Sequence, residues 1–282
     1  MTPSDFWWRH ARTPLLLFLL LIGLLSALDA DRGVAHALFF DAQHGRWIGA
    51  ASWWTNGFLH TGGRWAIRCV AALGIAVWIA ACRDPGLRPL RRPAAYFVVS
   101  LILSIATVGL LKTLTNMDCP WDLAEFGGRY PYVTLLADRP ALPRNGQCFP
   151  AAHASSGYAL FALYFVVRER SRRWAKVGIA SALLVGATFG IAQQSRGAHF
   201  VSHDVWSAFL VWMISLTIYA CVFRARLWNV AEPAKIPLSA RVSPSFDLAP
   251  TAFADPAVVR VRLDREPGVR GLSRPAGQRR PG

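Results

Sequence analysis

Apolar residues occur in six long runs that are separated by shorter polar segments. The runs cover approximately residues 14–28, 65–81, 94–111, 151–167, 177–192 and 205–223. Each comes close to the roughly 17–25 residues that a helix needs to cross about 30 Å of hydrocarbon. The pattern predicts an all-α fold, a polytopic membrane bundle with six transmembrane helices. The first run follows Arg9 and Arg12 as a signal-peptide core would, but no clean cleavage site follows it, so we expect a retained helix.

The basic residues between the runs predict how the helices are oriented. Residues 83–92 and 168–176 are rich in Arg, and short basic loops stay on the cytoplasmic side of a membrane. Both termini are then cytoplasmic, and residues 29–62 and 116–149 lie outside. Segment 29–62 is aromatic with few charges, which favours an amphipathic helix in the membrane interface. Segment 116–149 is too polar for the bilayer and too long for an idle connection.

Composition agrees with a membrane protein, because 54% of the residues are hydrophobic and 12 are Trp. The formal net charge of +15 alone would also fit a nucleic-acid-binding protein. The Arg residues lie between the apolar runs and in the tail, however, so we expect the lipid bilayer and no nucleic acid as a partner. Residues 1–228 form the predicted membrane domain. Residues 229–282, rich in Pro, Arg and Ala without periodicity, form a predicted disordered basic tail in the cytoplasm.

Three polar clusters adjoin the apolar runs, and the predicted orientation brings all of them to the outer surface. Their ionisable residues are Lys112, His153, Arg196, His199, His203 and Asp204. Ionisable side chains at membrane depth are costly and mark functional sites. The clusters therefore predict one site on the outer face of the bundle.

The order and spacing of the clusters resemble those of a known family of membrane enzymes. The three stretches read Lys112-Thr-Leu-Thr-Asn-Met-Asp-Cys119-Pro120, Pro150-Ala-Ala-His153 and Ser195-Arg196-Gly-Ala-His199-Phe-Val-Ser-His203-Asp204. They resemble the K-x6-R-P, P-S-G-H and S-R-x5-H-x3-D motifs of the type-2 phosphatidic acid phosphatase superfamily, over about residues 94–223. The resemblance implies a phosphoric monoester hydrolase that acts on a phosphorylated membrane lipid and requires no metal or other cofactor. Such an enzyme would lie in a bacterial inner membrane with its active site facing the periplasm.

The sequence departs from the family motifs at positions that bind phosphate. Cys119 stands where the family has an Arg, while Ala151 and Ala152 replace Ser and Gly. The resemblance leaves as expected phosphate-binding residues Lys112 and Arg196, with Arg129 and Arg144 of the outer segment as replacements for the missing ligand.

Two registers of the third motif give two candidate nucleophiles. Anchoring on residues 197–200, which resemble the family's G-x-H-Y, selects His199. Counting from Arg196 selects His203 with a slip of one residue. We favour His199 as the residue that forms a phosphohistidine. His203 or Asp204 would then fix its tautomer, as the third group of a catalytic triad does.

The remaining polar candidates follow from their position beside the motifs. His153 would protonate the leaving oxygen and afterwards activate water. Cys119 and Cys148 share the outer segment, one beside each of the first two motifs, and would pair as a disulfide in an oxidising periplasm. We expect structural roles for the isolated residues His36, His44 and His60.

Three functions from different classes remain open at this point. The first is a phosphatase that hydrolyses a lipid phosphate or lipid diphosphate. The second is a phosphotransferase that passes the same phosphoryl group to another lipid instead of water. The third is a membrane binding protein without catalysis, for example a haem-binding bundle, although haem would require paired His residues within the bilayer rather than at one surface.

Overall fold

The computed structural model of the protein describes residues 3–135, 137 and 146–223. These residues belong to the first of the two units into which the chain divides, Met1–Ala231. The predicted tail, residues 229–282, lies outside the described residues, as does Arg144.

Helices dominate the described part of the chain. The α-helices there are α1 (Pro3–Trp7), α2 (Thr13–Ala27), α3 (Ala30–Val34), α4 (Gly63–Arg83), α5 (Arg91–Thr115), α6 (Ala152–Tyr158), α7 (Phe161–Val167), α8 (Arg172–Ser195) and α9 (Val201–Ile218). The strands described are β1 (Phe40–Asp41) and β2 (Arg46–Trp47), which pair antiparallel in a short hairpin. Wide π-helical turns join or extend several helices, and the longest of them, Trp54–Gly62, leads directly into α4.

Five helical segments in the described residues are long and apolar enough to cross a membrane. They are Ser4–Ala27, Trp54–Arg83, Pro85–Asp122, Arg172–Ser195 and Val201–Cys221. The fourth predicted span is the shorter apolar helix Ala152–Val167, which is interrupted between α6 and α7. At 1.5 Å per residue it is about 24 Å long, which is a few Å less than the hydrocarbon thickness.

Small residues bring α6 into close contact with α8. A Cβ atom on Gly157 would lie 2.7 Å from the Cα of Gly186, so the two backbones touch. Ala154 of α6, Ala159 just after it and Ala162 of α7 are fully buried. This packing through small side chains is typical of helices within a bilayer, where backbones must approach closely to gain van der Waals contact. It fixes the first turn of α6, which carries His153, against α8.

Aromatic side chains fill the opposite end of the bundle from His153. His10 uses both ring nitrogens there, one 2.7 Å from the carbonyl oxygen of Phe6 and the other 2.6 Å from the hydroxyl of Tyr164. Further along the N-terminal segment, Phe18 of α2 stacks on Phe209 of α9, with 4.1 Å between the ring centroids. The first helical segment therefore packs as an integral part of the bundle.

The segment between α2 and α4 differs from the predicted interfacial helix. An extended helix occurs only over Trp54–Gly62, where Trp53, Trp54 and Phe58 are exposed. The prediction is wrong for the earlier part, which forms α3, a π-helical turn and the hairpin. The physical reason is that Trp47 is buried in an aromatic cluster with Phe126 instead of facing lipid.

Candidate active site

A cavity of about 700 Å³ lies between the ends of α4, α5, α6 and α8 that face the hairpin. Its polar and charged lining side chains are His60, Arg64, Arg68, Lys112, Gln147, His153, Ser156, Gln193, Arg196 and His199. Apolar residues of α4 and α5, Ile67 and Ile105, complete the wall on the side toward the middle of the bundle. The cavity thus brings together members of all three predicted clusters.

A disulfide joins the segments that carry the first two motifs. Cys119 and Cys148 are bonded, with their Cα atoms 5.0 Å apart, and both line the cavity. The backbone N–H of Cys148 also donates a hydrogen bond to the carbonyl of Met117 at 3.0 Å. Together these links hold the residues just before Pro150 beside the end of α5, which contributes Lys112.

The turn that carries the third motif is fixed by contacts from two other segments. Gly197 has a φ of +75°, and a Cβ atom there would overlap the ring of Trp47. The N–H of Gly49 donates to the carbonyl of Ser195 at 2.8 Å, and that of Trp121 donates to Gly197 at 2.9 Å. A left-handed conformation against an aromatic ring requires glycine. The hairpin and the residues that follow it therefore pack against the turn between α8 and α9.

His199 lies in this turn and lines the cavity with only 6% of its surface exposed. Its Nδ1 is 2.7 Å from the backbone carbonyl oxygen of Cys148. Because a carbonyl can only accept, Nδ1 carries the proton and Nε2 keeps a lone pair. Burial, assisted by the neighbouring His203 and the positive Lys112, lowers the pKa of His199 well below its usual value. The imidazole is therefore neutral at neutral pH.

His203 and Asp204 occupy different positions relative to His199. His203 is fully buried behind His199, with 3.5 Å between the two Nδ1 atoms, and its ring lies edge-on to that of Phe149. Asp204 instead accepts a hydrogen bond from Nε2 of Gln194 at 2.5 Å and lines a separate groove between α2, α8 and α9. The structure thus brings His203, but not Asp204, next to His199. The group that hydrogen-bonds Nδ1 of His199 is the Cys148 carbonyl, which has no signature in the sequence.

His153 lies at the start of α6, stacked on Phe189 with 4.4 Å between the ring centroids. Its Nε2 is 3.0 Å from the carbonyl oxygen of Leu59, so Nε2 carries a proton and Nδ1 is the nitrogen left for proton transfer. The ring of His60 lies 5.0 Å away. The described lining of the cavity therefore includes three imidazoles: His60 of the π-helical turn, His153 of α6 and His199 of the loop between α8 and α9.

The predicted phosphate-binding residues divide into two groups. Lys112 and Arg196 both line the cavity. Burial lowers the pKa of Arg196, but a guanidinium remains charged in proteins. Arg129 is exposed and is not among the lining residues, and Arg144 lies outside the described residues.

Gln193 is a site residue whose role the sequence did not reveal. Its Oε1 accepts a hydrogen bond from Nη1 of Arg196 at 3.0 Å, which orients the amide. Its Nε2 is buried and has no hydrogen-bond partner among the described residues, and the residue lines the cavity. A buried amide donor without an acceptor is costly unless a ligand supplies one. This residue stands at the position where the family pattern has an Arg, six residues before His199.

Helix α4 and the turn before it also contribute cavity residues. From the sequence, His60 was expected to be structural, and Arg64 and Arg68 had no predicted role. His60, Arg64 and Arg68 recur at intervals of four residues, which places them on one side of the continuous helix. The signal that would have found them is charge within an apolar run, since Arg64 and Arg68 lie at the start of the second predicted span. Elsewhere in the described ranges, no group of three or more His, Cys, Asp and Glu residues is arranged to hold a metal ion.

Comparison with known proteins identifies the family of the part that carries these motifs. Residues 93–227 match the family model of the PAP2 superfamily, which confirms the resemblance of the three motifs. No curated protein and no solved structure gives a significant match to the chain. Members of the superfamily are generally phosphatases. Residues 93–227, which run from α5 through α9 and include most of the cavity lining, thus resemble the PAP2 superfamily, and this similarity suggests a phosphatase-type membrane protein.

Proposed function

We propose that the protein is a lipid phosphatase that removes phosphate from a membrane lipid through a phosphohistidine on His199. The observation that supports this most directly is the state of the His199 ring, which is neutral, with Nδ1 bonded to the Cys148 carbonyl and Nε2 left as a nucleophile. The same cavity holds Lys112, Arg196 and the unpartnered amide of Gln193. These are cationic and hydrogen-bond-donating groups, as a phosphate dianion requires.

Phosphate binding precedes attack in the proposed reaction. Lys112 and Arg196 neutralise the equatorial oxygens, whose charge must be stabilised in the transition state. Gln193 Nε2 donates to a third oxygen, in place of one of the ligands that the motifs lack. The Nε2 lone pair of His199 then attacks phosphorus, a P–N bond forms, and the P–O bond to the lipid breaks.

His153 serves both halves of the reaction. When doubly protonated it donates from Nδ1 to the departing lipid oxygen, because its Nε2–H is held by the Leu59 carbonyl. The neutral Nδ1 then takes a proton from water, which attacks phosphorus and breaks the P–N bond. Inorganic phosphate leaves, and both imidazoles return to their starting states.

The surroundings of the cavity support the proposal of a lipid substrate and an outward-facing site. It lies where α4, α5, α6 and α8 end, and Ile67 and Ile105 form its wall toward the bundle interior. The Arg-rich loops 83–92 and 168–176 are at the opposite end of these helices, which supports a periplasmic site in an inner membrane. An acyl or prenyl chain then stays in the bilayer while its headgroup enters the cavity.

The test is phosphate release from purified full-length protein. Lipids to be compared include phosphatidic acid and prenyl phosphates, with p-nitrophenyl phosphate as a soluble reference. We expect wild type to release phosphate and, after a rapid acid-free quench with labelled substrate, to carry label on a histidine. His199→Ala should abolish both. Label retained by His199→Ala and lost from His203→Ala would show that His203 is the nucleophile, and absence of release from every phosphate ester would refute the phosphatase.

A further inference from the structure

One side of the cavity is formed by a helix outside the family-matched part of the chain. α4 contributes His60 from the turn that leads into it, then Arg64 and Arg68, with Ile67 on the same side. The match to the PAP2 superfamily covers residues 93–227, so none of these residues belongs to its motifs. They constitute a separate basic wall, which we call the α4 basic wall.

The cavity holds more positive charge than one phosphate neutralises. Among the residues that the structure describes, the lining contains four cationic side chains, Arg64, Arg68, Lys112 and Arg196, and no carboxylate. Within the part of the chain that the structure describes, none of these four forms an ion pair with Asp or Glu. A phosphate monoester carries at most two negative charges, so two cations would remain without a counter-charge. Arg64 and Arg68 are both exposed, and the guanidinium carbon of Arg68 lies 4.8 Å from the ring centroid of Trp65, so their charges are accessible to a second anion in the cavity.

The charges are also separated along the cavity. Lys112 is close enough to His199 to act on it electrostatically. Arg64 and Arg196 both lie close enough to His153 and His60 to act on them electrostatically. Arg68 lies one helical turn, about 6 Å, further toward the middle of the membrane than Arg64. The α4 basic wall is therefore beside the residue that assists the leaving group and extends toward the lipid chain.

We propose that Arg64 and Arg68 form a second anion-binding subsite, which holds the lipid-proximal phosphate of a lipid diphosphate while the terminal phosphate reacts at His199. This rests on the phosphatase function proposed above and narrows its substrate class. The terminal P–O bond to the bridging oxygen breaks, water supplies the new oxygen on the released phosphate, and the lipid monophosphate departs. Arg64 and Arg68 stabilise the charge that develops on that leaving group.

A lipid monophosphate and a lipid diphosphate should depend on different residues of the cavity. A terminal phosphate at His199 is bound by Lys112, Arg196 and Gln193, whichever substrate carries it. Only a diphosphate places a second group of negative oxygens next to His153, within reach of the long side chains of α4. Removal of Arg64 or Arg68 should therefore affect a diphosphate selectively.

The experiment compares farnesyl diphosphate with farnesyl monophosphate, which differ only in the second phosphate. Full-length protein carries Arg64→Gln, Arg68→Gln or both, and Arg83→Gln at the other end of α4 is the matched control. Loss of a hydrogen bond to a charged group predicts a fall in kcat/KM for the diphosphate of about tenfold to a hundredfold per substitution. For the monophosphate we expect less than about a threefold change, and Arg83→Gln should alter neither.

A binding measurement makes the result independent of turnover. Inorganic pyrophosphate should inhibit wild-type cleavage of the monophosphate at lower concentration than inorganic phosphate does, and Arg64→Gln/Arg68→Gln should remove that difference. Equal losses on both substrates, or no loss on the diphosphate, would overturn the second subsite while leaving the phosphatase intact. A wild-type protein that hydrolyses neither substrate would overturn the phosphatase and the subsite together.

Discussion

The backbone carbonyl of Cys148 accepts a hydrogen bond from Nδ1 of His199 at 2.7 Å. Cys148 is in turn bonded to Cys119, so the candidate nucleophile of the third motif is oriented by the segment that links the first two motifs. In many triads a carboxylate holds the catalytic imidazole. Here a peptide carbonyl, anchored by a disulfide, performs that positioning role.

Opening the disulfide should therefore lower both stability and turnover. Cys119→Ser or Cys148→Ser opens a loop of 29 residues in sequence separation, for which the loop-entropy estimate is about 3–4 kcal/mol. We expect a lower Tm and a reduced kcat, because the Cys148 carbonyl is no longer held against His199. Cys69→Ser is the matched control, since Cys69 is free and exposed. If the double variant Cys119→Ser/Cys148→Ser keeps the wild-type kcat, the disulfide does not position the site.

The dependence of activity on pH should reflect the lowered pKa of His199. In the proposed mechanism only the neutral ring attacks phosphorus, so activity should be lost as the pH falls through the pKa of His199 in the free enzyme. Because burial lowers that pKa, the acid limb of kcat/KM should lie below the usual value of about 6.5. The profile must be corrected for the substrate's own phosphate ionisation near pH 6. An acid limb above pH 7 that survives this correction would contradict a buried, neutral nucleophile.

Gly197→Ala should damage the site without touching any catalytic side chain. The added methyl group meets the Trp47 ring at a φ of +75°, which costs on the order of 1–3 kcal/mol and displaces the turn that carries His199. We expect lower Tm and at least about a tenfold loss of kcat. Gly109→Ala in α5 is the control, since nothing lies within 4 Å of its Cβ position, and it should keep wild-type activity.

His203 and Asp204 should give different results when they are replaced. His203→Ala leaves a space behind the His199 ring and should lower kcat, whereas Asp204→Asn should chiefly affect stability, because its carboxylate pairs with Gln194 and not with His199. Gln194→Ala should reproduce the Asp204→Asn effect, and the two changes should not add. Turnover of each purified variant, measured beside its Tm, tests this; a larger loss of kcat in Asp204→Asn would assign Asp204 to the catalytic machinery.

The elements that the sequence predicted well are those with long, local signals. Apolar runs locate the helices. Lys112, His153 and His199 are recognisable because they are ionisable residues at the ends of such runs that the predicted orientation brings to the same surface. The contributions that escaped prediction are non-local or lie in the backbone. The Cys148 carbonyl carries no side-chain signature, and the burial of Trp47 depends on Phe126, which lies far along the chain.

The α4 residues escaped for a different reason. Arg64 and Arg68 stand near the end of an apolar run, where basic residues usually reach the interface by extending their side chains. The packing of α4 against α5 and α6 shows that this side of the helix lines the cavity. The position of one helix relative to another is a property of tertiary packing, and a single amphipathic stretch does not specify it.

The exposed aromatic residues Trp53, Trp54 and Phe58 lie on the turn that continues into the cavity residue His60. Indole rings favour the headgroup region of a bilayer, and Trp53 and Trp54 would hold the cavity entrance at the depth of lipid phosphates. The lipid substrate proposed above would then arrive by lateral diffusion in two dimensions. The relevant concentration is a mole fraction, and diluting a phosphorylated lipid with inert phospholipid should slow the reaction even when its amount per volume of suspension is unchanged.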